Sequence, residues 1–282
     1  MFEVWTRAEL RAEGINRREI NQALADRLLI RVRKGHYVRG DAPDALIRAG
    51  RVGGRLGCVS LLAECGVFVF DHSVTHVHME RGDSRMRAPV GKRHLAARSQ
   101  RRRVVLHWRA LVEPPGSGAV DVVDAVAHAV RCQEPRYAIA TLDSALNTGC
   151  LSAEGLERVF DVLPSRYRVL RGFVDARAQA GTETLVRLML LRMGCAVDLQ
   201  VGFTGVGAVD LVVDGWLVVE CDSKQFHSSW EQQLKDYRRD RALAALGYSV
   251  LRLTAEDILY RPEIVLAALR GLVARVREHA AA

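Results

Sequence analysis

The sequence predicts an α+β chain divided among several domains, on three observations. Its 282 residues, 49% of them hydrophobic, exceed the ~100–200 residues of one ordinary domain and can fill more than one core. Residues 1–42 read as two short helices and a hairpin. Residues 178–282 read as a helix, three strands, a helix, a strand and a helix, whereas 43–165 mix short strands with longer helices into an α/β region of their own.

At the start, Thr6 precedes Glu9 by the spacing of a capping box, so a first helix opens at Arg7 and Gly14 breaks it. Asn16 is the N-cap of a second helix. Its Ile20, Ala23, Leu24 and Leu28 share one face, while Arg17, Arg18, Gln22 and Arg27 fall largely on the other. Leu29 to Val38 form two short strands around Lys34-Gly35. A helix with a basic exposed face followed by a basic hairpin that carries Arg33 and Lys34 suits a winged helix-turn-helix over 1–42, in which a recognition helix enters the major groove and the wing touches the backbone. The plainer alternative is a small structural helix pair that binds protein.

Between Pro43 and Pro164, helices are expected at Leu46–Arg51, Val59–Cys65, Val120–Cys132, Pro135–Thr148 and Ala153–Leu163. Strands are expected at Val67–Phe70, Val74–Met79 and Arg103–Trp108. His72, His76 and His78 invite a metal, but no cysteine or carboxylate accompanies them at ligand spacing, which favours surface histidines. The six cysteines are scattered without a C-x-x-C pair and read as reduced and mostly buried.

The formal charge is +8, and from Arg85 to Arg109 the chain carries nine basic residues and no acidic one. Such a stretch could neutralise phosphates, or it could be only a solvated face. No uncharged apolar run of about 18 residues or more occurs and no signal-like start is evident, so the expectation is a cytoplasmic protein without a membrane partner.

The N-terminal stretch TRAELRAEGINRREINQALADRLLIRVRKGHYV, followed by GGRLGCVSLLAECGV and VTHVHM, resembles the abortive-infection antitoxin family, in which a winged helix precedes an α/β domain. The resemblance implies a DNA-binding repressor and places Arg17, Arg18, Asn21 and Gln22 towards DNA.

In the last part of the chain, a helix from Glu183 to Met193 precedes strands at Ala196–Val201, Ala208–Val213 and Trp216–Asp222. A helix at Glu231–Leu246, a strand at Tyr248–Leu253 and a helix from Pro262 follow. Asp214-Gly215 favours a type I′ hairpin turn. Closing the hairpin there sets Asp210 opposite Val219, one residue out of register with Glu220, and leaves a conflict of faces that only a bulge or a shifted register resolves. Glu220, Asp222 and Lys224 share a face while the strand stays extended. Carboxylates converging at a strand end beside a lysine can hold Mg2+, with Mn2+ as the alternative ion, and a metal so placed activates water for phosphodiester hydrolysis. Glu183 is either a third acidic contributor or a complement to its helix dipole.

Val209-Asp210, Glu220-Cys221-Asp222, His227 and the run from Lys235 to Arg241, ahead of Leu246 to Arg252, resemble the PD-(D/E)xK nuclease superfamily and its very-short-patch-repair-like branch. That resemblance implies a restriction-endonuclease-like core with Asp210, Glu220 and Asp222 on a metal, His227 acting on water or phosphate, and Arg239 contacting a phosphate. Asp222 stands where the parent pattern has lysine, and Lys224 could substitute from two residues further on. The sequence reading is a Mg-dependent DNA endonuclease of DNA repair or phage defence. Its rivals are a non-enzymatic DNA-binding regulator with an inactive nuclease fold, used for dimerisation or grip, and an antitoxin that contacts a cognate toxin or another defence-system protein.

Overall fold

The computed structural model describes residues 2–91, 94–95, 101, 103–222 and 230–281. The chain forms two compact units: Met1–Thr141 with Thr148–Arg171, and Leu142–Asn147 with Gly172–Ala282. No helix among the described residues is long and apolar enough to cross a membrane.

The first unit opens with β1 (Trp5–Thr6) and helices α1 (Arg7–Ala12) and α2 (Arg17–Ala25). Both helices start in full capping boxes: Thr6 with Glu9, and Asn16 with Glu19. Each box satisfies backbone N–H groups that a first helical turn otherwise leaves unbonded. Strands β2 (Leu29–Arg33) and β3 (His36–Arg39) close an antiparallel hairpin with an irregularity between Arg31 and Arg33, and β1 adds to β3. Leu10, Ile20 and Tyr37 form the small core beneath, flanked by Trp5, Ile15, Leu24 and Leu29.

Next come α3 (Asp44–Val52), β4 (Arg55–Leu56), α4 (Cys58–Glu64), β5 (Thr75–His78), β6 (Val104–His107), α5 (Val122–Cys132), α6 (Pro135–Asn147) and α7 (Ala153–Val162). The sheet order is β4-β5-β6, with β5 and β6 parallel. The expected strand at Val67–Phe70 does not form. Its apolar side chains do go inside, with Val67 and Val69 buried and Phe70 stacked on Tyr137 at 4.0 Å between centroids, but the backbone is irregular. A short apolar run reports burial and leaves backbone state open. The histidines correct a second expectation. His72 is exposed, but His76 is half-buried and His78, His107 and His128 are buried. All six cysteines are free thiols, and Cys58, Cys195 and Cys221 are the buried ones.

The second unit is built on α8 (Gly181–Arg192), β7 (Val197–Phe203), β8 (Gly207–Val213), β9 (Leu217–Asp222), α9 (Trp230–Ala245), β10 (Ser249–Thr254), α10 (Ala255–Tyr260) and α11 (Pro262–Ala281). Helix α10 was not foreseen. The sheet order is β10-β9-β8-β7. Strand β10 lies parallel to β9, as a crossover through α9 allows, and the other pairs are antiparallel. Val209, Val212, Val218 and Leu243 pack the core between sheet and α9.

Helix α8 is buried on several sides, with Thr182, Glu183, Thr184 and Arg187 among its buried residues. A polar anchor holds it. Asp143, from the α6 segment that belongs to this unit, accepts from Arg187 Nη2 at 2.9 Å, Thr184 Oγ1 at 2.8 Å and the Asp175 backbone N–H at 2.8 Å. Arg187 also donates to the Phe173 carbonyl at 2.6 Å. Burial pushes the Asp143 carboxyl up to about 6 against these donors, so it is ionised at neutral pH. Removing one partner of such a pair strands a buried charge. Asp143→Ala should therefore destabilise this unit by about 3–5 kcal/mol in urea unfolding, and Asp143→Leu with Arg187→Met should recover much of the loss.

Candidate nuclease site

The site begins with the turn between β8 and β9. Asp214 and Gly215 both take left-handed φ, +46° and +72°, as a type I′ turn requires. Trp216 N donates to the Val213 carbonyl at 3.1 Å, yet the first ladder pair is Val213 with Leu217, so three residues lie between paired positions. Pairing continues as Val212 with Val218 and Leu211 with Val219, one residue shifted from a two-residue closure. The ladder ends at Leu211 with Val219, and carrying its register one step further brings Asp210 level with Glu220 on one face of the sheet, which resolves the conflict of faces.

The two side chains meet there. Asp210 Oδ2 accepts the Cys221 backbone N–H at 2.8 Å, and Glu220 Oε2 lies 3.5 Å from the Asp210 backbone N–H. Glu220 is only 5% exposed. Burial first, and the Asp210 charge second, push its carboxyl up to about 7, while Arg239 pulls the other way. Arg239, on α9, brings Nη2 to 2.8 Å from Glu220 Oε1 and also donates to the Ala208 carbonyl. The approach to Glu220 lacks hydrogen-bond alignment, so Oε1 is a buried oxygen without a hydrogen bond.

Glu183 stands behind this pair. It accepts the Gln179 backbone N–H at 2.9 Å and Gln200 Nε2 at 3.0 Å. Its carboxyl is raised by burial, with Asp210 adding to the rise against the Gln179 bond. The sequence reading missed Gln200. It sits on β7 between the pairs Leu199–Leu211 and Val201–Val209, across from Asp210, with φ of +54°. A non-glycine residue held there carries backbone strain, which accumulates where structure is built for a task. No pattern in the sequence marks a single glutamine for that conformation.

Asp222 lies further along the same strand and is half-exposed, with Arg252 Nη1 3.5 Å from its Oδ2. Arg252 also grips Asp240 of α9, Nη2 to Oδ1 at 2.8 Å and Nε to Oδ2 at 3.2 Å, which raises its already high pKa. Arg252 is the only charged residue of β10 and is paired in register with Glu220, a signal of the same kind as Asp210 in β8. The charges of Asp210, Glu183, Glu220 and Asp222 all raise the buried Cys221 thiol further, so one small region holds four carboxylates. Lys224 and His227 lie outside the described residues.

The carboxylates are gathered but not closed into a ring. Among the described residues, the set of three or more His, Cys, Asp or Glu ligand atoms all within 4.8 Å of one another is Cys58, His76, His107 and Cys132 in the first unit. Glu220 leans instead on Arg239, and Glu183 on Gln179 and Gln200.

A family model named REase_MTES_1575, for restriction-endonuclease-like proteins, matches residues 183–272, from Glu183 through the sheet into α11. The C-terminal domain is restriction-endonuclease-like. The chain is also 27% identical to the Uncharacterized protein MT2308 of Mycobacterium tuberculosis (strain CDC 1551 / Oshkosh), across 94% of this chain and 97% of that one. The Uncharacterized protein Rv2248 of strain ATCC 25618 / H37Rv matches with the same identity and coverage.

In the first unit, Arg17, Arg18, Asn21 and Gln22 are exposed on α2, and Gln22 Nε2 bonds Asp26 at 3.0 Å. Arg33 is half-buried and points towards the Arg85 carbonyl at 3.4 Å, whereas Lys34 is exposed. Both line a groove of about 650 Å³ with Arg31, Arg51 and Arg87.

The raised Glu220 carboxyl of the restriction-endonuclease-like domain has a sign that can be checked. A group whose folded pKa lies above its ordinary value of 4.5 holds its proton better when folded, so its stabilising share is full in acid and is lost as pH rises through about 7. With EDTA present, the melting temperature should fall between about pH 5 and pH 8. Glu220→Gln, which cannot ionise, should make that decline shallower. An unchanged slope would assign the titration elsewhere.

Proposed function

We propose that the protein binds DNA and that its restriction-endonuclease-like domain hydrolyses phosphodiester bonds with a divalent cation, Mg2+ or Mn2+, held by Asp210 and Glu220 with Asp222 beside them. The observation that carries this reading is the approach of Asp210 to a buried Glu220 whose carboxyl is raised to about 7. The donors are hard oxygens, two of them repel each other, and Glu220 Oε1 is buried without a hydrogen bond. A hard divalent cation fits that set, and it supplies a water of lowered pKa and stabilisation of the charge growing on phosphate.

The chain's own groups do the rest. Gln200 and the Gln179 N–H fix Glu183 beside Asp210. Arg239 neutralises Glu220 while no cation does, and on release it has reach for a phosphate oxygen. Arg252, tied to Asp240, holds a positive charge beside Asp222, where the parent pattern places lysine. Lys224 and His227 are proposed for the attacking water or the phosphate. In the first unit, α2 and the basic groove support a winged-helix grip on the DNA backbone through Arg17, Arg18, Asn21, Gln22, Arg33 and Lys34. The very-short-patch-like branch, a role in repair or phage defence, cytoplasmic location and self-association belong to the same proposal.

One observation favours a second reading. Arg239 already occupies Glu220 and Arg252 already reaches Asp222, so the acidic groups are compensated without an ion. A regulator that grips DNA, or an antitoxin that holds a toxin, needs no more than that.

Supercoiled plasmid incubated with the protein and Mg2+ should be nicked or linearised, and EDTA should stop it. Asp210→Asn and Glu220→Gln should lower the rate on the order of 10²-fold or more, the scale of losing a group that stabilises transition-state charge. DNA binding with no cleavage in any divalent ion would leave the second reading. Separately, Arg17→Ala and Arg18→Ala should each weaken DNA binding across sequences and reduce the salt slope by about 1, measured by fluorescence anisotropy over a salt series.

A further inference from the structure

Four side chains from four elements of the first unit meet in a group of their own. Cys58 opens α4, His76 lies in β5, His107 ends β6 and Cys132 ends α5. One ligand atom from each lies within 4.8 Å of all the others. His76 Nδ1 is 3.1 Å from His107 Nε2, and Cys132 Sγ is 4.0 Å from that same nitrogen. In a zinc tetrahedron with Zn–N of about 2.0–2.1 Å and Zn–S of about 2.3 Å, neighbouring ligand atoms stand about 3.3–3.8 Å apart. These two separations bracket that range, and the other pairs stay within 4.8 Å.

Ordinary hydrogen bonding accounts poorly for this group. Thiols are weak donors, and two imidazole nitrogens facing each other share at most one proton along their contact. Without an ion, soft lone pairs would be turned on one another. The backbone also departs from its usual state to make the group: Cys58 holds φ of +53°, left-handed for a residue that is not glycine. The His107 ring is set by stacking on His128, with centroids 5.1 Å apart and planes 10° apart.

We propose that Cys58, His76, His107 and Cys132 form a tetrahedral zinc site. Two thiolates and two imidazoles are the soft, four-coordinate set that suits Zn2+, and four protein ligands leave no open position, so the site is structural. It ties α4 and α5 to the parallel pair β5–β6. Cys132 is exposed and, with His76, lines a cavity of about 250 Å³ that gives the ion a way in. The proposal is independent of the nuclease reading.

The test uses the full chain purified without chelator. Elemental analysis should find about one zinc per chain, and replacement by Co2+ should give the thiolate charge-transfer and tetrahedral d–d absorption of a Cys2His2 centre. Cys132→Ser, at an exposed position, should weaken the charge-transfer band, and His107→Ala should abolish stoichiometric binding. Cys65→Ser and Glu220→Gln should change neither. Phenanthroline should lower the melting temperature of the wild type. The proposal is overturned by a chain that takes up neither ion, by an unchanged Co2+ spectrum in Cys132→Ser, by loss of zinc in Glu220→Gln, or by a Cys58–Cys132 disulfide in protein purified without oxidant. If the variants fail to fold, the wild-type Co2+ spectrum decides alone: two-thiolate intensity supports the site, and no thiolate band overturns it.

Discussion

The restriction-endonuclease-like domain depends on one electrostatic constraint, two carboxylates of like charge set opposite each other in an apolar sheet. Asp210 and Glu220 sit on the two central strands, where β9 is buried along almost its whole length. Burial of Glu220 strengthens the repulsion from the half-buried Asp210, and the surrounding elements offset it. Strand β9 supplies the Cys221 N–H, α9 supplies Arg239 and β10 supplies Arg252. Because α9 is also the crossover that makes β10 parallel to β9, the connection that completes the sheet delivers the compensating cation.

A second polar layer holds the helix behind. The first turns of α8 bury Glu183, Thr184 and Arg187. Thr184 and Arg187 turn to Asp143, whereas Glu183 turns to Gln179 and Gln200. Anchoring one part of the turn fixes the other, since side chains three and four positions apart on a helix share a rigid frame. The strained Gln200 is then understood as the strand's contribution: the backbone leaves the ladder opposite Asp210 so that its amide can meet Glu183.

Much of this was legible in the residues. The capping box at Thr6, the N-cap at Asn16, the left-handed Asp214-Gly215 turn and the α-β-β-β-α-β order are local signals, and local physics formed them as read. Register was not legible, because one extra turn residue, Trp216, moves every pair by one and nothing in the hairpin sequence counts it. Arg239 was legible as a residue near the site only through the resemblance, and its ion pair with Glu220 arrives through tertiary packing. The cysteine and histidine group escaped for a related reason. Ligand-spacing rules work when one hairpin or one helical turn carries two ligands, and here each of the four comes from a different element.

The two proposed metal sites differ in ligand hardness, and that difference governs how metal dependence is to be understood. Asp210, Glu220 and Asp222 offer oxygen only, which suits a weakly held, exchangeable Mg2+. Cys58, His76, His107 and Cys132 offer sulfur and nitrogen, which suit a retained Zn2+. A strong chelator acts on both. Loss of cleavage in EDTA therefore would not identify the ion that was removed, since unfolding of the first unit would abolish the proposed DNA grip as surely as an empty carboxylate site would abolish the proposed hydrolysis. Restoration by Mg2+ alone separates the cases: a hard ion refills oxygen ligands and leaves thiolates empty, so recovery without zinc places the chemistry at the β8–β9 carboxylates.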